Sequence, residues 1–208
     1  MPPKGKGVCC HDHDCEEADC GPQYSLYEHI DTGHVRCLNE AVPGSCKGVF
    51  RPWHTRGDTD HVLESNDDDP ELLLHIPFNG QVTLKAICVV GGGDGASPAK
   101  MRLITNREDV DFTSAADIAP QQEFDMIEDL RGVVEYPTQL TKFKGVHHLC
   151  IHFPAALAGD RTQITFIGLK GEFQQRRREA VQAVYESQPM PEDNKAPEEY
   201  RNTMGFGT

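Results

Sequence analysis

The stretch that decides the fold is Leu72-Leu73-Leu74-His75-Ile76-Pro77-Phe78, then Asn79-Gly80, then Gln81-Val82-Thr83-Leu84-Lys85-Ala86-Ile87-Cys88-Val89-Val90. The part after the glycine alternates in side-chain type, which is typical of a β-strand. An Asn-Gly pair between two such runs favours a type I′ turn, because both central residues of that turn need positive φ. The stretch therefore predicts a β-hairpin that turns at Asn79-Gly80.

The rest of the middle of the chain has the same character. Further strands are predicted at residues 100–105, 123–127, 133–136, 146–153 and 163–169. The glycine-rich residues 91–95 lack the spacing of a phosphate-binding loop or a dinucleotide fingerprint and are interpreted as a strand connection. No window here has a convincing 3.6-residue apolar period, so no helix is expected. Many short strands without intervening helices predict an all-β antiparallel sandwich of jelly-roll type.

Composition divides the 208 residues into three parts. Residues 1–22 contain Cys, His, Asp and Gly with almost no large apolar residue, and residues 191–208 are polar and rich in Pro and Gly. Neither segment can contribute much to a core, so both are predicted to be flexible polar tails. Residues 23–190 carry nearly all the aromatic and β-branched residues and form the predicted domain.

The net charge of −13 has the wrong sign for holding a phosphate backbone, so nucleic-acid binding is not expected. No apolar run is long enough for a membrane span, and no signal peptide is recognisable. We therefore expect a cytoplasmic protein, with the nucleus as a second compartment, that binds proteins and not membranes. On its own it is expected to be a monomer, or else a subunit of a larger complex.

Charge is unevenly distributed along the chain. Residues 58–71 contain seven acidic residues and no Lys or Arg. They lack the alternating ligands of a calcium loop, so a solvated loop is the first interpretation and an acidic docking patch the second. Arg176-Arg177-Arg178 is too short to bind nucleic acid and is interpreted as a solvated strand end. The composition of residues 176–186 favours a helix by propensity.

Four of the eight cysteines lie in the first twenty residues. With two histidines they form the densest set of soft ligands in the chain: Cys9, Cys10, His11, His13, Cys15 and Cys20. Thiolate and imidazole ligands favour zinc or copper(I), but no C-x2-C pair and no apolar residue is available to fold a zinc module around an ion. We expect weak metal binding by a tail and no dedicated cofactor, with a zinc site or redox sensor as the alternative.

Residues 146–153 place His148, Cys150 and His152 on one face if they are extended. This resembles the H-x-H arrangement of β-sheet zinc enzymes, but no fourth ligand can be nominated, so hydrogen bonding is the expected role. No nucleophile motif or carboxylate pair is recognisable, and no enzymatic activity or catalytic residue is predicted. Trp53, the one tryptophan, is expected to cover the core; an exposed anchor is the alternative.

The ordered set of these segments resembles the PITH domain family. The resemblance begins with Ser25-Leu26-Tyr27-Glu28-His29-Ile30-Asp31 and Val35-Arg36-Cys37-Leu38-Asn39-Glu40. It continues through residues 48–53, 72–78, 101–106, 143–149, 166–172 and 185–186. It spans about residues 24–190, and the short N-terminal part makes the chain similar to the stand-alone members.

The resemblance implies a jelly-roll sandwich related in shape to galactose-binding-like domains, working by binding protein. In thioredoxin-like relatives this module attaches to the regulatory particle of the 26S proteasome, which implies an adaptor or accessory factor here. A structural subunit of another large assembly is the alternative. The family has no catalytic residues to carry over. It also implies an extended strand at residues 176–186, where propensity favours a helix.

Overall fold

The computed structural model describes residues 24–174, whose regular structure is almost entirely β. The strands are β1 Arg36–Leu38, β2 Leu63–Glu64, β3 Leu72–Gly91, β4 Lys100–Thr105, β5 Gln122–Asp125, β6 Glu135–Pro137, β7 Val146–Phe153 and β8 Gln163–Gln174. One α-helix, α1, covers Phe112–Asp117, and 3-10 turns cover Tyr27–His29, Ser45–Lys47 and Trp53–Thr55. None of these helices has the length and apolar character of a membrane span.

All pairing between these strands is antiparallel, and β3 organises it. The strand order is β2-β8-β3-β7-β4-β5, with β1 and β6 also paired to β3. The first part of β3 pairs with β1 and mainly with β7, whereas residues 81–91 pair with β8 and β6. The long strand thus passes from one layer of the sandwich into the other, and the predicted all-β jelly-roll fold is confirmed.

The predicted hairpin at Asn79-Gly80 is wrong. Both residues lie inside the 20-residue strand β3, and neither has positive φ. The glycine is needed for another reason: a Cβ on Gly80 would lie 2.7 Å from Cε2 of Phe173. The pair therefore marks a close approach between β3 and β8, at the point where β3 changes partners.

The other strand predictions agree well with the structure. β4 and β7 have the predicted bounds, β5 and β6 are each displaced by one or two residues, and β8 continues to Gln174. The expectation of no helix in the middle of the chain is wrong because α1 lies between β4 and β5. Its six residues are too few to show a 3.6-residue period, but Asp111 caps it by accepting a 2.7 Å hydrogen bond from the Ser114 amide.

Both faces of β7 are buried, and they face different surroundings. Leu149, Ile151 and Phe153 pack in the main core between the layers. Cys150 packs on the other side in a smaller cluster with Leu73, Ile104, Val110 and Ala115, the last two of which come from the β4–β5 connection. The connection thereby covers a sheet face that would otherwise be exposed to solvent.

The acidic stretch at residues 58–71 is only partly a solvated loop. Leu63 and Ser65 are fully buried, and Leu63 and Glu64 form the strand β2. Glu64 forms an ion pair with Arg161, and Glu71 contacts a buried histidine of β7. Asp58, Asp60 and the aspartates at 67–69 are exposed, so the docking-patch interpretation applies to these five residues.

Candidate functional site

Several predictions from the sequence lie outside the described residues. These are the N-terminal set Cys9, Cys10, His11, His13, Cys15 and Cys20, both predicted tails, the arginines at 176–178, and the choice between helix and strand at 176–186. The predicted zinc or redox role of the N-terminal set stays a prediction.

The His-Cys-His face of β7 is formed as predicted, but its members have different partners. His152 contacts Glu71, with Nε2 and Oε1 2.6 Å apart. Cys150 instead lies beside His75 of β3 and His148, with its Sγ 3.3 and 3.7 Å from their Nδ1 atoms. We call His75, His148 and Cys150 the HHC cluster. His75 was missed as a member because only the β3–β7 register places it opposite Cys150.

Burial keeps the HHC cluster uncharged. Loss of solvent lowers the pKa of His75 to about 4 and raises the pKa of the Cys150 thiol to about 12. The pKa of His148 is lowered for the same reason. Neutral imidazoles and a thiol are the forms expected near pH 7.

Trp53 is only half-buried and lies outside both apolar clusters, so it does not cover the core as the sequence predicted. Its ring meets Phe166 edge-on at 5.9 Å, and a Cβ on Gly168 would lie 2.9 Å from it. Two cations flank the ring, with Lys170 Nζ 4.4 Å and Arg56 Cζ 5.1 Å from the centroid. These contacts hold Trp53 in place as a lid on the outer face of β8.

The connection between β5 and β6, residues 126–134, exposes a dense set of apolar side chains; we call it the apolar loop. Ile127, Leu130 and Val133 are 61%, 54% and 56% exposed. Large apolar residues this exposed are ordinary when scattered singly, but three within seven positions of one loop indicate a contact surface. Polar residues flank them, as at the rim of a protein interface.

Asp129 holds the apolar loop in one conformation. Its carboxylate is buried and accepts hydrogen bonds from the amides of Arg131, Gly132 and Val134 at 2.9, 2.9 and 2.7 Å. Its carbonyl accepts from the amide of Gly91, at the end of β3. Charge-assisted hydrogen bonds of this kind are among the strongest in proteins.

The rest of the apolar loop is fixed to the sandwich as well. Met126 is buried in the core, and the Ile127 amide donates to the Tyr136 hydroxyl at 3.1 Å. Gly132 has φ +69°, and a Cβ there would lie 3.1 Å from both Arg56 and Val90. The loop therefore rests against the Trp53–Arg56 region, and its exposed side chains project from a rigid support.

The short strands β1, β2, β5 and β6 are less suited to binding a partner than the apolar loop. β1, β2, β5 and β6 have two to four residues each. β5 contains Glu123 and Asp125, and β6 contains Glu135 and ends in Pro137. Short edges with charges and proline discourage the addition of a foreign strand. Among the described residues, the apolar loop is the surface best suited to binding.

Solved structures resemble this fold at low sequence identity. The family 32 CBM from C. perfringens NanJ, solved in complex with galactose, has a TM-score of 0.50 and 9% identity, covering 70% of this chain and 97% of that one. The CBM32-1 and CBM32-2 domains of Clostridium perfringens ZmpB have a TM-score of 0.50 and 14% sequence identity, and the match covers 73% of this chain and 38% of that one. These likenesses support the jelly-roll fold alone.

Sequence relatives are much closer. PITH domain-containing protein 1 of Dictyostelium discoideum is 40% identical over 190 residues, covering 88% of this chain and 94% of the relative. The human protein of that name is 40% identical over 176 residues, which cover 84% of this chain and 82% of the relative. The PITH domain family model matches residues 16–189. The chain belongs to the PITH domain family.

Proposed function

We propose that this chain is a non-enzymatic protein-interaction module that docks on the regulatory particle of the 26S proteasome as an adaptor or accessory factor, through its apolar loop. The observation that carries the proposal is the exposure of Ile127, Leu130 and Val133 on a loop held by the buried carboxylate of Asp129. The choice of partner rests on the resemblance to proteasome-attached relatives.

The exposed area of the loop is sufficient to matter for affinity. Fully burying a large aliphatic side chain contributes about 1.5–3 kcal/mol. The three side chains are each somewhat more than half exposed, so covering them would contribute on the order of 3 kcal/mol. A few such central residues usually carry most of the binding energy of an interface.

Rigidity of the loop favours binding further. Association loses free energy when a loop or side chain must be ordered at the interface. The hydrogen bonds to Asp129 and Tyr136 already fix the backbone of the apolar loop before any partner arrives. A partner then orders only the exposed side chains.

The test is binding of purified full-length protein to purified 26S regulatory particle. The triple variant Ile127→Ser, Leu130→Ser, Val133→Ser is expected to raise the Kd at least about tenfold. This corresponds to a loss of at least about 1.4 kcal/mol in binding free energy. Because the three side chains are exposed, the melting temperature should hardly change. Interferometry with immobilised protein would measure the affinity.

Val42→Ser with Leu140→Ser is the matched control, since these side chains are 65% and 51% exposed and lie outside the apolar loop. The control should bind within about twofold of wild type. Equal weakening in both variants would contradict a role specific to the loop. Failure of the wild-type protein to bind the regulatory particle would reject the proteasome as partner.

A further inference from the structure

The HHC cluster contains three metal-binding side chains in one buried place. His75 lies on β3, directly opposite Cys150 in the β3–β7 register, and His148 lies two residues before Cys150. One ligand atom from each lies within 4.8 Å of the others. The three residues are 1%, 0% and 4% exposed in the order His75, Cys150, His148.

Three protein groups converge on the sulfur of Cys150. Its Sγ lies near His75 Nδ1, His148 Nδ1 and the Arg107 carbonyl, the last at 3.1 Å. Both imidazoles therefore present the same ring nitrogen, Nδ1, to the thiol. A cation would interact with sulfur and both imidazoles together.

The two sulfur–nitrogen distances suit a zinc ion. Zn–S and Zn–N bonds of about 2.3 and 2.0 Å at a tetrahedral angle separate sulfur from nitrogen by about 3.5 Å. The two sulfur–nitrogen distances here are 3.3 and 3.7 Å. Two nitrogens and one sulfur are also a ligand set that zinc accepts.

An ion could reach the HHC cluster from one side. His148 lines a surface cleft of about 600 Å³ together with Asp31, His34, Arg36, Pro77 and Glu108. Glu108 favours a cation in this cleft, whereas Arg36 opposes one. The cleft also leaves space for a water molecule as a further ligand.

We propose that His75, His148 and Cys150 bind a zinc ion through two imidazole nitrogens and one thiolate, with the fourth coordination position open toward the cleft. Binding replaces the thiol proton of Cys150, which leaves to solvent, with a bond from sulfur to zinc. These three ligands are different residues from the N-terminal cysteines and histidines.

The experiment uses the full chain with Cys9, Cys10, Cys15 and Cys20 changed to Ser and His11 and His13 changed to Ala, which removes the N-terminal ligands. After exhaustive dialysis, this background protein is expected to retain one equivalent of zinc by elemental analysis. With Co²⁺ in place of zinc, it should show the near-ultraviolet charge-transfer absorption of a thiolate–cobalt bond. In the same background, Cys150→Ala and His148→Gln should each lose the retained zinc.

Cys88→Ala is the matched control, because Cys88 is equally buried and is not part of the HHC cluster. It should keep both the zinc and the cobalt absorption. If circular dichroism shows that Cys150→Ala does not fold, His148→Gln provides the test instead, because His148 lines the cleft. A folded background protein that retains no zinc would overturn the proposal. A folded background protein without a thiolate–cobalt absorption would also overturn it.

Discussion

Replacing Gly171 with alanine is expected to lower the free energy of unfolding by about 3 kcal/mol, at the upper end of the usual cost of overpacking. Gly171 lies on β8 opposite Leu84 of β3, and a Cβ there would lie 2.1 Å from the carbonyl oxygen of Thr83. The obstructing atom belongs to the backbone of the longest strand and cannot rotate away. The two strands must separate, next to a register irregularity between Leu84 and Ala86.

Thermal unfolding measures this effect. For a protein of this size a loss of about 3 kcal/mol corresponds to a melting temperature lower by roughly 6–12 °C. Gly57→Ala is the matched control, because a Cβ on Gly57 would meet nothing within 4 Å and its φ is not in the left-handed region. It should change stability by less than about 0.5 kcal/mol. Equal melting of the two variants would show that β3 and β8 are not as close as described.

The strands that the sequence predicted correctly are those whose period is local. β4 alternates from Lys100 to Leu103 and β7 from His148 to Phe153, so the two faces of these parts could be read from residue type. The Asn79-Gly80 pair led to the wrong prediction of a hairpin, because the same two residues suit a tight turn and a close approach between two strands. Only the position of Phe173, almost a hundred residues away, distinguishes the two.

The candidate sites depended on tertiary structure to a greater degree. The face shared by His148 and Cys150 followed from the strand period, whereas His75 lies 75 residues from Cys150 and joins only through strand pairing. The apolar loop was missed because its two ends were included in predicted strands. Its one local signal was Asp129 followed three residues later by Gly132, which is typical of a type I turn.

Asp129 connects stability to the proposed function, since one buried carboxylate accepts three amides of the loop that exposes Leu130 and Val133. A hydrogen bond to a charged group contributes about 1.5–3 kcal/mol, and removing the acceptor leaves one buried and two partly buried amides without it. The three bonds share one side chain, so their contributions do not simply add. We expect Asp129→Ala to cost about 4 kcal/mol in the free energy of unfolding.

In Asp129→Ala, the apolar loop is expected to open locally under conditions where the rest of the domain stays folded. Amide hydrogen exchange of Arg131, Gly132 and Val134 is expected to accelerate, because their acceptor is gone. The melting temperature should fall by roughly 8–16 °C. Asp129→Asn keeps an acceptor oxygen without the charge, so an intermediate loss is expected.

Glu128→Ala is the control for charge, because this neighbouring side chain is exposed and carries the same charge. It should leave melting and amide exchange close to wild type. At a temperature where Asp129→Ala remains folded, its binding to the regulatory particle should fall as far as that of the triple loop variant. If binding persists while the three amides exchange freely, the fixed loop conformation is not needed for docking. Contact through the apolar side chains would then have to form by ordering the loop on the partner, at a cost in affinity that the native aspartate avoids.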